Sequence, residues 1–205
     1  MYIKLLAMRN VDLYLFDANS YEENNLYSLL ELKESDKEII KKFKVEESRK
    51  EKAVSFHYKN KFVGQYYIDE FGKPLSRDIF FNISHSKGVV VFVTSKDAEI
   101  GVDVEISRQI EDDFVRFVCS SDELELVNKG ANIFEIWTSK ESLLKCIGIG
   151  IKARLNEVNS LPTNGLKKYN HLSYVSKLIK IENIYISITL KGEEDFNVNL
   201  HKNIL

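Results

Sequence analysis

The sequence has few of the residues that build crosslinked chains or flexible linkers. Its 205 residues include two cysteines, Cys119 and Cys146, and two prolines, Pro74 and Pro162. Two cysteines without a CxxC pair exclude a disulfide framework and a cysteine-rich zinc site, so we expect a reduced, cytoplasmic compartment. The nine glycines are scattered, and no proline-rich or glycine-serine linker divides the chain. We therefore expect its parts to pack closely together.

Long apolar runs and an excess of one charge are also missing. The formal net charge is −2, which argues against a nucleic-acid or anionic-membrane surface. No stretch approaches the roughly 18 apolar residues of a membrane span, and the N-terminal residues lack the apolar core of a signal peptide. What remains is a globular composition with 44% hydrophobic residues, which is enough for a sizeable core. We expect a protein that binds neither membranes nor nucleic acids.

Hydrophobic periodicity predicts an α+β protein made of two similar halves, residues 1–97 and 98–205. Alternating or continuous apolar runs predict strands, and spacings of three and four residues predict helices. The predicted strands are 11–16, 79–81, 89–93, 99–106, 154–158, 173–180 and 183–190, and the predicted helices are 26–43, 46–67, 112–119, 121–128 and 133–147. The order strand, helices, strands thus occurs twice.

Two details of this prediction concern the junction and the end of the chain. The strands 89–93 and 99–106 are expected to form an antiparallel hairpin around the turn at 94–98. The polar segment 192–205 is expected to be a loose tail.

The strongest local signal is the sequence GVDVE at residues 101–105. On a strand, Asp103 and Glu105 share one face while Val102 and Val104 point to the other, into a core. Two adjacent carboxylates repel each other unless a hard cation lies between them, and oxygen ligands with open water positions suit Mg²⁺. An exposed strand edge with two charges remains the alternative for this motif alone.

A second signal is the sequence WTSKESLLK at residues 137–145. At 3.6 residues per turn, Trp137, Glu141 and Lys145 lie on one helix face, which carries an aromatic ring, a carboxylate and an ammonium. A surface Glu-Lys pair beside a core tryptophan is an equally good interpretation of this segment alone. Gly148 and Gly150 after the helix allow a close approach of the backbone to a ligand.

A third signal is the sequence NISHS at residues 82–86, expected as a turn between two strands. Its hydroxyls and imidazole, with Lys73 of a preceding Gly-Lys-Pro segment, suit the binding of phosphate oxygens. A serine hydrolase is disfavoured, because a nucleophile and its base are rarely adjacent in sequence and no GxSxG elbow occurs. A plain turn with a hydrogen-bonded histidine remains open.

Taken together and in this order, the four segments 72–74, 82–86, 101–105 and 137–145 resemble the 4′-phosphopantetheinyl transferases of the surfactin type, within the holo-carrier-protein synthase superfamily. The resemblance implies two α+β halves related by a pseudo-twofold axis, with the active site at their interface. It also implies Mg²⁺-dependent transfer, with Mn²⁺ as the other candidate metal, of the phosphopantetheine arm of coenzyme A to a serine of an apo acyl or peptidyl carrier protein. The family releases 3′,5′-bisphosphoadenosine, and we expect a monomer.

The resemblance also implies roles for individual residues. It assigns metal binding to Asp103, Glu105 and Glu141, pyrophosphate binding to Lys145, coenzyme A phosphates to Lys73, Ser84 and His85, and the 3′-phosphate end to Arg49. We add the hypothesis that Glu141 is the general base for the carrier serine. The family places a glutamate where Glu123 stands, and the carrier is expected to dock on hydrophobic and basic surface residues around 119–128.

Two other functions fit the same residues. A Mg²⁺-dependent phosphohydrolase or nucleotidyl transferase would use three carboxylates and a lysine with water or a nucleotide as acceptor. An inactive relative would bind coenzyme A without transfer. The presence of Asp103, Glu105, Glu141 and Lys145 together argues against the inactive relative, because losing one of them costs chemistry more than binding.

Overall fold

The computed structural model describes residues 8–149 and 154–203, and the predicted role of Gly150 lies outside them. The described chain is an α+β fold, as the sequence predicts. Its elements in chain order are β1 (Arg9–Asp17), α1 (Glu23–Leu29), α2 (Glu34–Ile40), α3 (Glu46–Tyr58), β2 (Tyr67–Ile68), β3 (Pro74–Leu75), β4 (Phe80–Ser86), β5 (Val89–Ser95), β6 (Ile100–Ile106), α4 (Asp112–Val118), α5 (Ser121–Asn128), α6 (Ile133–Ile147), β7 (Gly165–Tyr169), β8 (Leu172–Ile181), β9 (Ile184–Lys191) and β10 (Phe196–Lys202).

The strands form two four-stranded sheets and a small hairpin. The first sheet has the order β10-β1-β5-β4, the second has the order β6-β9-β8-β7, and β2 pairs with β3 alone. The predicted hairpin of β5 with β6 is therefore wrong. β5 pairs with β1 and β4, whereas β6 pairs antiparallel with β9, from Ile100 opposite Leu190 to Ile106 opposite Ile184. The segment after β5 thus carries the chain from one sheet to the other.

The C-terminal segment is a strand and not the predicted loose tail. β10 runs parallel to β1, with Phe196 opposite Arg9 and Lys202 opposite Leu15. The segment alternates like a strand: Phe196 is fully buried and Val198 packs against the core, while Asn197 and Asn199 are exposed. The division of the chain into residues 1–97 and 98–205 stays a prediction. Residues 196–202, from the predicted second half, belong to the sheet of β1, which lies in the predicted first half.

The elements pack in four layers: helices α1–α3, the first sheet, the second sheet and helix α6. One face of each sheet contributes to a shared apolar core, in which β1, β5, β6 and β9 supply most of the side chains. The other face of the first sheet packs against α1–α3 through a second cluster that includes Phe16, Tyr58 and Phe92. The buried apolar side of α6, with Leu143, Leu144 and Cys146, packs beside Val158 and Tyr174. The pseudo-twofold relation of the halves stays a prediction.

Helix and strand bounds differ from the prediction at several places, including the following four. The helix expected at 26–43 is two helices, because Leu30 is extended at the end of α1. The helix expected at 46–67 leaves the α-helical form after Tyr58 and continues as a wider turn at Lys59–Val63. The strand expected at 154–158 contains a short 3₁₀ turn, Leu155–Glu157. Residues 82–86 lie within β4 and not in a turn.

No helix among the described residues is both long and apolar enough to cross a bilayer.

Gly101 explains how α6 can lie directly on β6. A Cβ atom at this position would come within 2.1 Å of the carbonyl oxygen of Ser142 and 2.4 Å of the amide nitrogen of Cys146. Real Cβ atoms do not approach a backbone this closely, so only glycine allows the contact. The glycine of the GVDVE motif therefore sets the distance between the strand with Asp103 and the helix with Lys145.

Candidate active site

The two carboxylates of β6, Asp103 and Glu105, lie on the face opposite to the apolar core, as predicted. Val102 and Val104 are buried in the core between the sheets, which confirms the predicted alternation of this strand. Asp103 is 5% exposed, and Glu105 is partly exposed further along the same face. Asp103 is thus the more deeply buried of the two carboxylates.

Lys145 of α6 reaches Asp103 and a serine of the first sheet. Its Nζ donates hydrogen bonds to Oδ1 of Asp103 at 2.7 Å and to Oγ of Ser84 at 2.9 Å. The Ser84 hydroxyl in turn donates to the same Asp103 oxygen at 2.8 Å. These three residues come from β4, β6 and α6, and so the cluster joins both sheets and the helix at one point.

Arg108 is a member of the site that the sequence did not single out. Its guanidinium donates to Oε2 of Glu105 at 2.8 Å, and Ser86 donates to the same oxygen at 3.1 Å. The guanidinium lies over the ring of Trp137, 5.1 Å from its centroid, and the ring also packs against Phe114. Trp137 thus holds the cation that orients Glu105. An arginine three residues after the carboxylate was the only signal for this contact.

The third carboxylate, Glu141, lies within electrostatic reach of the other two. Burial raises the pKa of Glu141, and the charge of Asp103 raises it further while Lys145 opposes the shift. Burial likewise raises the pKa of Glu105, with Arg108 opposing and Asp103 adding to the shift. Carboxylates with raised pKa values from burial and mutual repulsion mark a place where a cation is favourable.

One oxygen of Asp103 provides a direct test of whether a cation fits. Its Oδ2 atom is buried and has no hydrogen-bond partner among the described residues, and such an atom costs free energy unless something binds it. Within the same residues, no group of three acidic, histidine or cysteine side chains already has the spacing of a metal site. The donor set therefore fits a hard cation chemically, although the three carboxylates do not converge on one point.

The strand character of residues 82–86 separates the two predicted phosphate ligands. Alternate side chains of β4 point to opposite faces, so Ser84 and Ser86 reach the carboxylates, while His85 points to α3. Nδ1 of His85 lies 2.9 Å from Oε2 of Glu51. The structure thus brings Ser84 into the cluster with Asp103 and Lys145 and leaves His85 on the other side of the strand.

Lys73 borders a cavity that also reaches Lys145. The cavity has a volume of 210 Å³ and lies between the β2–β3 hairpin, β4 and the end of α6; its lining includes Gly72, Lys73, Pro74, Asn82, Ile83, Lys145 and Gly148. Lys73 Nζ donates to the carbonyl oxygen of Cys146 at 2.8 Å, and burial lowers the pKa of this lysine. Two lysines from different elements therefore face one small cavity.

Known proteins match the part of the chain that carries most of these residues. Residues 99–189 match the family described as the 4′-phosphopantetheinyl transferase superfamily. This segment is similar to that superfamily. The match includes Asp103, Glu105, Glu141 and Lys145, and it confirms the resemblance inferred from the sequence; Arg49, Lys73, Ser84 and His85 precede it.

Two curated relatives agree with the family match. The 4′-phosphopantetheinyl transferase Gsp of Aneurinibacillus migulanus is 37% identical over 95 residues, which cover 43% of this chain and 40% of the relative. A protein of Synechocystis sp., provisionally named a 4′-phosphopantetheinyl transferase, is 30% identical over 105 residues, or 47% of this chain and 42% of the relative. The chain thus matches less than half of the length of these relatives.

Arg49 has its hydrogen bonds at another place in the fold. Its guanidinium makes two 2.7 Å contacts with the carboxylate of Glu23 and donates to the carbonyl oxygens of Phe43 and Lys44. None of its hydrogen bonds among the described residues joins it to Asp103 or Lys145. Its predicted place at the 3′-phosphate stays a prediction.

Glu123 and Lys140 form a buried pair that the sequence did not indicate. Both side chains are fully buried, and Lys140 Nζ lies 2.5 Å from Oε2 of Glu123. Glu123 is therefore not among the surface residues around 119–128 on which the carrier is expected to dock, and that docking surface stays a prediction. The exposed side chains of α5 include Asp122 and Glu125, so the surface of this helix is acidic and not basic.

Proposed function

We propose that this chain transfers the 4′-phosphopantetheine arm of coenzyme A to a serine hydroxyl of an apo acyl or peptidyl carrier protein. The observation that carries the proposal is the contact of Lys145 with Asp103 and Ser84. It joins the two motifs of the superfamily segment to a hydroxyl of the other sheet, where a pyrophosphate would bridge the halves. The names of the two relatives support the same reaction. We further propose that the protein acts as a monomer in the cytoplasm.

The reaction requires little covalent chemistry from the protein. The serine oxygen forms a bond to the phosphorus that carries pantetheine, and the bond from this phosphorus to the bridging oxygen breaks. The leaving group is 3′,5′-bisphosphoadenosine, and the serine proton passes to a base. Negative charge develops on the bridging and non-bridging oxygens, so a positioned cation stabilises the transition state. Lys145, whose side chain is 28% exposed and contacts Asp103, would supply this positive charge.

Asp103, Glu105 and Glu141 would hold Mg²⁺, with Mn²⁺ as the alternative. The unpartnered Oδ2 of Asp103 and the raised pKa values of the two glutamates support this assignment. When bound, the ion supplies charge neutralisation at the pyrophosphate oxygens. Arg108 and Ser86 hold Glu105 in place for this role.

Glu141 is our candidate for the base that accepts the serine proton. It is the carboxylate that α6 adds to the pair on β6, and burial together with Asp103 raises its pKa towards the range in which a carboxylate is an effective base. In a transfer assay at saturating Mg²⁺, the variant Glu141→Gln should lose most of its turnover. Full turnover in this variant would remove Glu141 from the role.

The phosphates and nucleotide of coenzyme A would contact the first sheet and the β2–β3 hairpin. Lys73 and Lys145 face one cavity and supply positive charge to two sides of a bound pyrophosphate. Ser84 lies at the same place, between Lys145 and Asp103. We assign His85 and Arg49 to outer phosphate contacts, as the resemblance implies.

Intact-protein mass spectrometry tests the reaction. A panel of apo carriers from fatty-acid, polyketide and nonribosomal peptide systems is incubated with the protein, coenzyme A and Mg²⁺. We expect a gain of roughly 340 Da on the carrier serine, the mass of one phosphopantetheine arm, and no gain with Asp103→Ala. Hydrolysis of coenzyme A without a carrier would indicate a phosphohydrolase. Binding of coenzyme A with no gain on any carrier would indicate an inactive relative.

A further inference from the structure

A buried carboxylate of α3 contacts the turn between β4 and β5, outside the carboxylate cluster. Glu51 is 5% exposed. One of its oxygens, Oε1, accepts a hydrogen bond from the backbone amide of Gly88 at 2.8 Å, and the other, Oε2, lies 2.9 Å from Nδ1 of His85. Neither the sequence motifs nor the family match assigns a role to Glu51.

The burial of Glu51 is stable only because both oxygens have partners. An unpaired buried carboxylate costs several kcal/mol, on the order of the effective penalty for a desolvated ion. The amide of Gly88 satisfies one oxygen, and the imidazole satisfies the other. The side chain of His85 is 47% exposed, so one edge of the ring faces Glu51 while the opposite edge, with Nε2, has no partner among the described residues.

We propose that Glu51 is a positioning residue for coenzyme A binding, acting through His85. It keeps a proton on Nδ1 and fixes the orientation of the ring, because the partner of one ring nitrogen decides which nitrogen carries the proton. Nε2 then points away from α3. When coenzyme A binds, Nε2 takes up a second proton and donates a hydrogen bond to a phosphate oxygen, while Nδ1–H stays bonded to Glu51. The inference rests on the proposed function, in which His85 contacts that ligand.

A purely structural role for Glu51 makes a different prediction. In that case Glu51 only ties α3 to the turn, and any loss of this tie should weaken coenzyme A binding equally. Asn19 provides the matched control, since its side-chain amide donates to the carbonyl oxygen of Lys87 at 2.8 Å and anchors the same turn. No hydrogen bond joins it to His85 in the described structure. Glu51→Gln retains an oxygen for the Gly88 amide, and Asn19→Ala removes the other anchor.

The first measurement is the ¹⁵N spectrum of the histidine rings of the whole protein at neutral pH. The chain has four histidines, and His85→Ala identifies the signal of interest. We expect the Nδ1–H tautomer at His85 in the wild type and a shift towards Nε2–H, the usual tautomer of free imidazole, in Glu51→Gln. Asn19→Ala should leave the tautomer unchanged. An Nε2–H tautomer in the wild type would overturn the proposal without any variant.

The second measurement is calorimetric binding of coenzyme A to the same proteins. Loss of the charged partner of His85 should weaken binding about tenfold in Glu51→Gln, since one charge-assisted hydrogen bond is at stake. Asn19→Ala should bind as the wild type does. Equal weakening in both variants, unchanged affinity in Glu51→Gln, or no binding to the wild type would each overturn the proposal. The tautomer and the affinity could both change as expected while no carrier protein is modified. This outcome would overturn the proposed transfer and leave the role of Glu51 intact.

Discussion

The ammonium of Lys140 lies 2.5 Å from Oε2 of Glu123, and neither side chain is exposed to solvent. Lys140 also donates to the carbonyl oxygens of Val118 and Leu155 at 2.5 and 2.7 Å. The other oxygen of Glu123 accepts from the amide and hydroxyl of Ser160. Lys140 therefore fastens α6 to three neighbouring segments from the side opposite to the site. Because Glu141 is the next residue, this fastening fixes the rotation of the helix that presents Glu141 and Lys145.

Breaking this pair should destabilise the protein severely. Lys140→Met leaves the carboxylate of Glu123 buried without its cation, and the free energy of unfolding should fall by about 3 to 5 kcal/mol. Urea denaturation followed by circular dichroism measures the loss. Lys129→Met is the control, because Lys129 pairs with Glu125 on the exposed surface and should cost less than about 1 kcal/mol. Similar losses in both variants would contradict the structural role of the buried pair.

A methyl group at Gly101 should separate α6 from β6. In Gly101→Ala, the new carbon would overlap the backbone of Ser142 and Cys146, and relieving the overlap should cost about 1 to 3 kcal/mol of stability. Transfer activity should fall further than stability explains, since the contact of Lys145 with Asp103 depends on the same spacing.

Gly130→Ala is the matched control for this prediction. No heavy atom lies within 4 Å of a carbon added at Gly130, but its φ of +99° disfavours alanine, so it should cost about 1 kcal/mol and leave activity intact. Activity loss in both variants, in proportion to stability, would contradict a role of the spacing in the site.

Removing the charge of Glu141 should raise stability while it abolishes activity. The pKa of Glu141 is raised above its ordinary value of 4.5, so from 4.5 up to the raised pKa the folded state binds more protons than the unfolded chain does. Stability from this group is therefore lost as pH rises through that window. At pH 7, Glu141→Gln should be more stable than the wild type, and the difference should shrink towards pH 4. Thermal unfolding across this range provides the measurement, and a less stable variant at pH 7 would contradict it.

Lys167 should give the opposite dependence on pH. Burial lowers the pKa of its ammonium from 10.5 to about 7, although it donates to Ser139 and to the carbonyl oxygen of Ser160. Between pH 7 and 10.5 the unfolded chain binds a proton that the folded protein does not, so stability from this group rises with pH by at most about 1.4 kcal/mol per unit. Lys167→Met should reduce the slope, and the exposed neighbour variant Lys168→Met should not. Equal slopes in the two variants would show that Lys167 is protonated throughout.

Divalent cations should stabilise the protein through Asp103. In thermal unfolding with increasing MgCl₂, the wild type should gain stability with the logarithm of the ion concentration once the site begins to fill. Asp103→Asn should lose this gain, because the replacement removes the charge next to the unpartnered oxygen. Asp97→Asn, on the turn after β5, should respond as the wild type does. An identical response of all three proteins would exclude a metal site at Asp103.

Local signals predicted well the strand and the helix that carry Asp103 and Lys145. The bounds of α5 and α6 are those read from the sequence, because apolar spacing, the capping side chain of Asn132 and the left-handed Gly148 act within one or two turns. The pairing of Asp103 with Glu105 on one face follows from strand geometry alone. The motif residues Asp103 and Lys145 do meet, and only the distance that Gly101 permits needed the structure.

Long-range partners escaped the sequence. β6 pairs with β9, and Gly101 lies opposite Thr189, which is more than eighty positions later in the sequence. No local pattern distinguishes this partner from β5. Buried charges were missed for a similar reason: Lys140, Glu123 and Glu51 look like surface residues until their partners are known. The polar residues 82–86 are typical of a turn, but the pairing of this segment with β5 continues through Ser86.

The parallel pairing of β10 with β1 has a consequence for the order in which the strands can pair while the protein is synthesised. β1 leaves the exit tunnel well before β10, yet one of its edges stays open until residues 196–202 have been synthesised. During this interval the nascent chain carries an exposed strand edge beside apolar side chains such as Val11 and Leu13, which invites pairing with other chains. Chaperone binding to the nascent chain should therefore persist until β10 emerges.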